Sequence, residues 1–149
     1  MPPRPAARVR ARPGFTLVEL LVTLALLAVL AALALPGYGQ QQRQARRSDA
    51  QAALLQLQLD QGRWRSAQGR HASTLSELGW PSDRSPQGHY QVVLLEASAD
   101  AYVAEARALG AQAQDSACNP MRLAWRDLAT VVHSSGPRTD SDSARCWRT

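Results

Sequence analysis

A glycine–phenylalanine junction and a lone carboxylate stand at the start of a long apolar run. Gly14 is followed by Phe15, which begins an apolar run that extends to Leu35. The polar side chains of this run are Thr16, Glu19 and Thr23. Cleavage at this junction would leave a new α-amino group on Phe15. A carboxylate inside a bilayer costs about 2.5–3.5 kcal/mol and is tolerated mainly when it is paired or functional. The pattern therefore indicates proteolytic processing, with Glu19 as a candidate ion-pair partner for an amine.

The rest of the chain carries no pattern typical of a catalytic or metal site. His71, His89 and His133 are scattered without metal-ligand spacing. The serines lack a G-x-S-x-G context, and there is no glycine-rich phosphate loop. Asp140-Ser141-Asp142 offers two oxygen ligands, whereas calcium needs six or more. We expect no enzymatic activity, no cofactor and no metal.

The residues around the junction form a basic leader and a membrane-length segment. Residues 1–14 hold four arginines and no acid, and Phe15–Leu35 would span about 32 Å as a helix. That length matches a bilayer core of about 30 Å, and the arginines favour a cytoplasmic leader. We predict a single-pass membrane protein with its leader in the cytoplasm and the bulk of the chain outside. An alternative is a secretory signal peptide ending at Ala32-Leu33-Ala34, which would release a soluble product.

The charge of the chain is concentrated in this leader. The net charge is +5, but removal of residues 1–14 leaves thirteen basic against twelve acidic residues. This balance weakens a general argument for nucleic-acid binding. A local patch remains as an alternative, in which four arginines contact phosphates and Trp64 stacks on bases. The arginines are Arg63, Arg65, Arg70 and Arg84.

Residues 36–62 read as an amphipathic helix that follows the span. Ala50, Ala53, Leu54 and Leu57 fall on one stripe, widened by Leu55 and Leu59. Pro36 interrupts the helical pattern and predicts a kink. Arg43, Arg46 and Arg47 are most simply a solvated face, and the alternative is a contact with lipid headgroups or a partner subunit. From Gly62 onward the glycines predict a loop.

The C-terminal part, residues 63–149, reads as a small α+β head. Three β-prone segments cover residues 89–95, 101–106 and 121–126, and a weaker fourth covers 130–133. We expect an antiparallel sheet of three or four strands that packs on the helix stripe. Cys118 and Cys146 lie on the exported side, which suggests one disulfide; unpaired thiols are the alternative. Such a bridge would stabilise the head by about 3.5 kcal/mol.

The N-terminal pattern closely resembles that of type IV pilins. Gly14 is followed by Phe15-Thr16-Leu17-Val18-Glu19, and the apolar run ends in Leu35-Pro36-Gly37-Tyr38. Further along, Gly88-His89-Tyr90, Asp115 before Cys118 and the ending Cys146-Trp147 are similar to small type IVa minor pilins of the PilE type. Asn119-Pro120 departs from that pattern and obscures where the third strand begins.

The resemblance implies a life cycle for the chain. A prepilin peptidase would cut between Gly14 and Phe15 and methylate the new amine of Phe15. Glu19 would neutralise the amine of an adjacent subunit during assembly, and Pro36 would mark the helix kink. The partners would be other pilin subunits, the inner-membrane assembly machinery and membrane lipid. Alternatives are a pseudopilin of type II secretion, and an anchored adhesin or DNA-uptake module.

Overall fold

The chain has the α+β architecture that its sequence predicts. The computed structural model describes residues 14–126, 130–137 and 144–147. It divides the chain into two compact units, Met1–Gly39 and Gln40–Thr149. The elements in order are α1 (Leu17–Gln68), β1 (Tyr90–Ala97), β2 (Tyr102–Ala108), β3 (Met121–Arg126), β4 (Thr130–Ser135) and α2 (Ala144–Trp147). Two short 3₁₀ turns, Gly110–Gln114 and Ser116–Cys118, lie between β2 and β3.

The first unit contains the apolar beginning of α1. Its large apolar side chains are exposed, with Leu33 at 76% and Phe15, just before the helix, at 85%. Over the described residues, no single helix qualifies as a membrane span. Leu17–Leu33 and Gly37–Gln68 qualify together as a broken span, by length and composition. The boundaries of the membrane segment and the kink at Pro36 remain predictions.

The second unit is built on the later part of α1. Ala50, Ala53, Leu54 and Leu57 are fully buried, at the i, i+3, i+4 and i+7 positions of one helix face. They form the core together with inward-facing residues of the sheet, which are Tyr90, Val92, Tyr102, Ala104, Ala106, Met121 and Leu123. The predicted stripe is therefore confirmed, but its predicted widening is wrong. Leu55 and Leu59 are 51% and 59% exposed because they lie outside this buried face.

The end of α1 differs from the prediction. The helix continues through Gly62 to Gln68, where a loop was expected from Gly62 onward. A glycine inside a helix costs only about 1 kcal/mol relative to alanine, which tertiary packing can offset. On one flank, Gln61 is fully buried and its amide hydrogen-bonds both the N–H and the carbonyl of Ala72, at 2.8 and 2.9 Å. The helix ends before Gly69, whose φ of 70° is the left-handed conformation of a helix C-terminus.

Four strands form one antiparallel sheet in the order β1-β2-β3-β4. β3 begins and ends where the sequence predicts, directly after the cis Asn119–Pro120 bond. The weaker fourth segment is a full strand, since β4 pairs along β3 from Met121↔Ser135 to Arg126↔Thr130. Register places Tyr102 opposite Trp125, so the two rings stack with an interplanar angle of 10°. The sheet presents one apolar face to α1, as an antiparallel sheet commonly does.

A disulfide links the two ends of the C-terminal region. Cys118 and Cys146 are bonded, with Cα atoms 5.6 Å apart, and both are buried. This confirms the predicted bridge. Next to it, Gln51 of α1 donates from Nε2 to the carbonyl of Cys146 at 3.1 Å. The bridge therefore holds α2 to the second 3₁₀ turn, and the Gln51 hydrogen bond links α2 to α1.

Candidate functional site

The predicted processing junction lies just before the first turn of α1. Gly14 and Phe15 are exposed, and the helix begins at Leu17. The N–H of Glu19 donates to Oγ1 of Thr16 at 3.2 Å, so Thr16 acts as the N-cap. Thr16-Leu17-Val18-Glu19 is the S/T-x-x-E pattern of a capping box, a signal that our sequence reasoning missed. Thr16 thus fixes where the helix begins relative to the junction.

Glu19 is exposed in the first turn of α1. It is the acidic residue of the first helical turn, where the helix dipole stabilises negative charge. Over the described residues, its carboxylate has no hydrogen-bond or ion-pair partner. The leader before Gly14 lies outside the described residues. Within the part of the chain described, this carboxylate is therefore available to a cationic group.

A buried ion pair fixes the 3₁₀ region of the head to α1. Arg47 donates to both carboxylate oxygens of Asp115, from Nε at 2.7 Å and from Nη2 at 2.9 Å. Only 13% and 9% of the two side chains are exposed. The hydrogen bond to Asp115 raises the pKa of Arg47 above its ordinary value. Gln112 adds a second link, since its Nε2 donates to the carbonyl of Arg43 and to the hydroxyl of Tyr90.

The arginines proposed to contact DNA are mostly paired within the head. Arg63 contacts Asp60, Arg65 contacts Asp100 and Arg70 contacts Glu77, at 3.2, 3.3 and 2.9 Å. The guanidinium of Arg70 also lies 6.0 Å from the ring centre of Trp64, within reach of a cation–π contact. Arg84 is exposed, on the segment before β1. The structure therefore neutralises three of the four charges that the sequence grouped together.

The histidines do not form a metal site in the part of the chain described. No group of three or more His, Cys, Asp or Glu residues suited to a metal ion is found there, and Asp140-Ser141-Asp142 lies outside the described residues. His71 is buried against Tyr102, with ring centres 4.8 Å apart. Burial chiefly lowers its pKa, and the charge of nearby Arg65 lowers it further. His133 packs on Trp147 at 4.2 Å, and burial lowers its pKa as well.

Comparison with known proteins agrees with this arrangement of processing junction, helix and head. The model of the prokaryotic N-terminal methylation motif matches residues 9–35. The model described as "Type IV minor pilin ComP, DNA uptake sequence receptor" matches residues 36–122. The chain belongs to the type IV minor pilin family. The earlier resemblance to type IV pilins is therefore confirmed.

A similar protein is the type IV major pilin protein PilA of Myxococcus xanthus (strain DK1622). The two sequences are 32% identical over 79 residues, which are 53% of this pilin and 36% of that relative. The chain thus matches about a third of the length of this curated relative. Pilins are structural proteins, and the methylation-motif match includes Gly14, Phe15 and Glu19 of this pilin.

Proposed function

We propose that this pilin is a minor subunit of a type IV pilus. Before assembly, the subunit is inserted in the inner membrane with residues 1–14 in the cytoplasm and its head in the periplasm. A prepilin peptidase cuts between Gly14 and Phe15 and methylates the Phe15 amine. The assembly machinery then moves the subunit into a filament with other pilins. The observation that carries the proposal is the methylation motif joined to a pilin head in one chain.

The exposed apolar surface of the first unit supports the assembly step. Over the described residues, the large apolar side chains from Leu17 to Leu33 are exposed, and Leu26, Leu30 and Leu33 are each at least 59% exposed. Apolar area of this size is stable only in lipid or against other proteins. Storage in the membrane supplies the first cover, and packing in a filament supplies the second. Glu19 would meet the Phe15 amine of a neighbouring subunit in that packing.

Processing is tested by expressing the full chain with and without a prepilin peptidase. We expect the peptidase to remove the mass of residues 1–14 and to add one methyl group at Phe15. Gly14→Ala should reduce cleavage modestly, whereas Gly14→Trp should abolish it because the bulky side chain blocks the cut site. Equal cleavage of both variants, or a product beginning at Leu35, would contradict the proposed site.

A second candidate function is DNA binding, which rests on the description of the matching family as a DNA uptake sequence receptor. Three of the four arginines in the patch predicted from sequence have acidic partners, so exposed Arg84 and Arg126 are the better candidates for phosphate contacts. Binding of a duplex oligonucleotide to the full chain in detergent should weaken with salt. Two phosphate contacts predict a log–log slope of about −2. Lack of binding at low ionic strength would remove this candidate.

The pseudopilin alternative shares the same processing motif. The match to a minor pilin family over residues 36–122 favours the pilus over the type II secretion system. The presence of the chain in sheared pili, and its absence from secretion complexes, would support that choice.

A further inference from the structure

A basic cleft lies at the start of the second unit. Arg43 and Arg47 of α1 line one side, Asp115 and Ser116 of the 3₁₀ region line another, and Arg145 of α2 closes it. Its volume is about 210 Å³. Three segments far apart in sequence therefore line a single small cavity, and three arginines and one aspartate are among its lining residues.

The charges of this cleft do not cancel. Asp115 is held by Arg47 in the buried ion pair described above. Arg43 reaches only an uncharged acceptor, Oε1 of Gln114 at 3.4 Å, and Arg145 has no carboxylate partner among the described residues. Among the described residues, the charges of Arg43 and Arg145 are thus not balanced by an acid. Arg63, Arg65 and Arg70 differ because each contacts an acid within 3.3 Å.

The cleft begins close in sequence to the point where the chain is proposed to leave the membrane. Gln40, one of its lining residues, is the first residue of the second unit and follows the apolar run by five residues. Arg43 is eight residues beyond Leu35 in the sequence. The headgroup layer of each leaflet is about 5–8 Å thick, and long arginine side chains can reach toward it.

We propose that the cleft binds the phosphate headgroup of an anionic phospholipid while the subunit is stored in the membrane. Arg43 and Arg145 would be the principal donors, because the planar guanidinium fork matches the oxygens of a phosphate. Arg47 would stay bonded to Asp115, so Arg43 and Arg145 would supply the charge that attracts the phosphate. The head would then be held at the bilayer surface and released when the apolar segment leaves the lipid. This inference rests on the proposed membrane storage of the subunit.

The test uses the full chain in nanodiscs of phosphatidylglycerol or of phosphatidylcholine at equal ionic strength. Phenylglyoxal modifies accessible arginines, and mass spectrometry gives the labelling rate of each residue. We expect phosphatidylglycerol to slow labelling of Arg43 and Arg145 about fivefold or more. The exposed Arg84 and Arg126 serve as internal controls and should change by less than about twofold. Equal rates for Arg43 and Arg145 in the two lipids would overturn the inference.

Matched variants and added anions separate the possible sources of phosphate. In the unchanged chain, phosphatidylglycerol should raise the melting temperature relative to phosphatidylcholine. This increase should disappear in R43Q/R145Q and persist in the control R84Q/R126Q, which also loses two positive charges. Protection of Arg43 and Arg145 by inorganic phosphate or duplex DNA in phosphatidylcholine nanodiscs, without protection by phosphatidylglycerol, would reject the lipid headgroup. Co-elution of the chain with both kinds of nanodisc measures membrane insertion separately. Lack of co-elution would contradict the proposed membrane storage, whereas co-elution without lipid-dependent protection would contradict only headgroup binding by the cleft.

Discussion

Replacement of Arg47 by alanine should destabilise the head strongly. The variant leaves Asp115, only 9% exposed, without the two short hydrogen bonds that hold its charge. Removal of one partner from a buried pair costs about 3–5 kcal/mol. For a head of this size, such a loss lowers the melting temperature by about 10–20 °C. Near-ultraviolet circular dichroism of the full chain in detergent, followed during heating, would measure the shift.

The chain offers a matched control for this prediction. Arg63 also pairs with an aspartate, Asp60 at 3.2 Å, but its side chain is 76% exposed. Arg63→Ala should therefore cost between about 0 and 1 kcal/mol. The double variant R47M/D115L, which replaces both charges by apolar groups, should recover much of the stability lost in R47A. Equal melting temperatures for R47A and R63A would refute the assignment of a buried, stabilising pair.

Three further outcomes are expected. Glu19→Ala should leave cleavage intact but reduce incorporation into filaments, because the neighbouring amine loses its partner; normal incorporation in a pull-down of sheared pili would contradict this role. Reduction of the Cys118–Cys146 bridge should raise the intact mass by two hydrogens and destabilise the head by about 3.5 kcal/mol. Burial lowers the pKa of His71 in the folded state, so the unfolded chain takes up a proton first. The stability that His71 contributes should therefore be fully present above pH ~6.5 and should decline as the pH falls toward the folded pKa. The same decline in His71→Phe would show that His71 is not its cause.

The parts of the fold that the sequence predicts are those specified by local pattern. The spacing of Ala50, Ala53, Leu54 and Leu57 predicts the buried face of α1, and the β-prone residues of β3 predict its bounds. Gly62 misled the prediction because its weak helix preference, about 1 kcal/mol relative to alanine, is offset by contacts of neighbouring residues such as buried Gln61. Gly69 was the effective stop, since its left-handed conformation ends the helix.

The polar contacts of the head were not predictable, because their partners are distant in sequence. Gln51 lies outside the predicted apolar stripe, yet it is buried and its amide donates to the carbonyl of Cys146, 95 residues later. Asp49 is buried for a similar reason, since it accepts hydrogen bonds from the hydroxyl of Ser85 and the N–H groups of Gln87 and His89. A buried polar group is stable only when it is hydrogen-bonded, and the sequence does not show which backbone group will reach it.

The same limit applied to the proposed DNA-contacting patch. Arg65 and Arg70 gain partners from the β1–β2 turn and from the loop after α1, at Asp100 and Glu77. Their positive charge is conspicuous in the sequence, whereas its neutralisation depends on tertiary structure. The N-terminal junction was easier to recognise, because its residues are adjacent.

Mass spectrometry of the N-terminal peptide from sheared filaments would test the central claim most directly. A pilus subunit processed as proposed should be recovered from the filaments with a first residue of N-methylated Phe15. Recovery of the chain only from the membrane fraction, with residues 1–14 still attached in the presence of an active prepilin peptidase, would contradict the account.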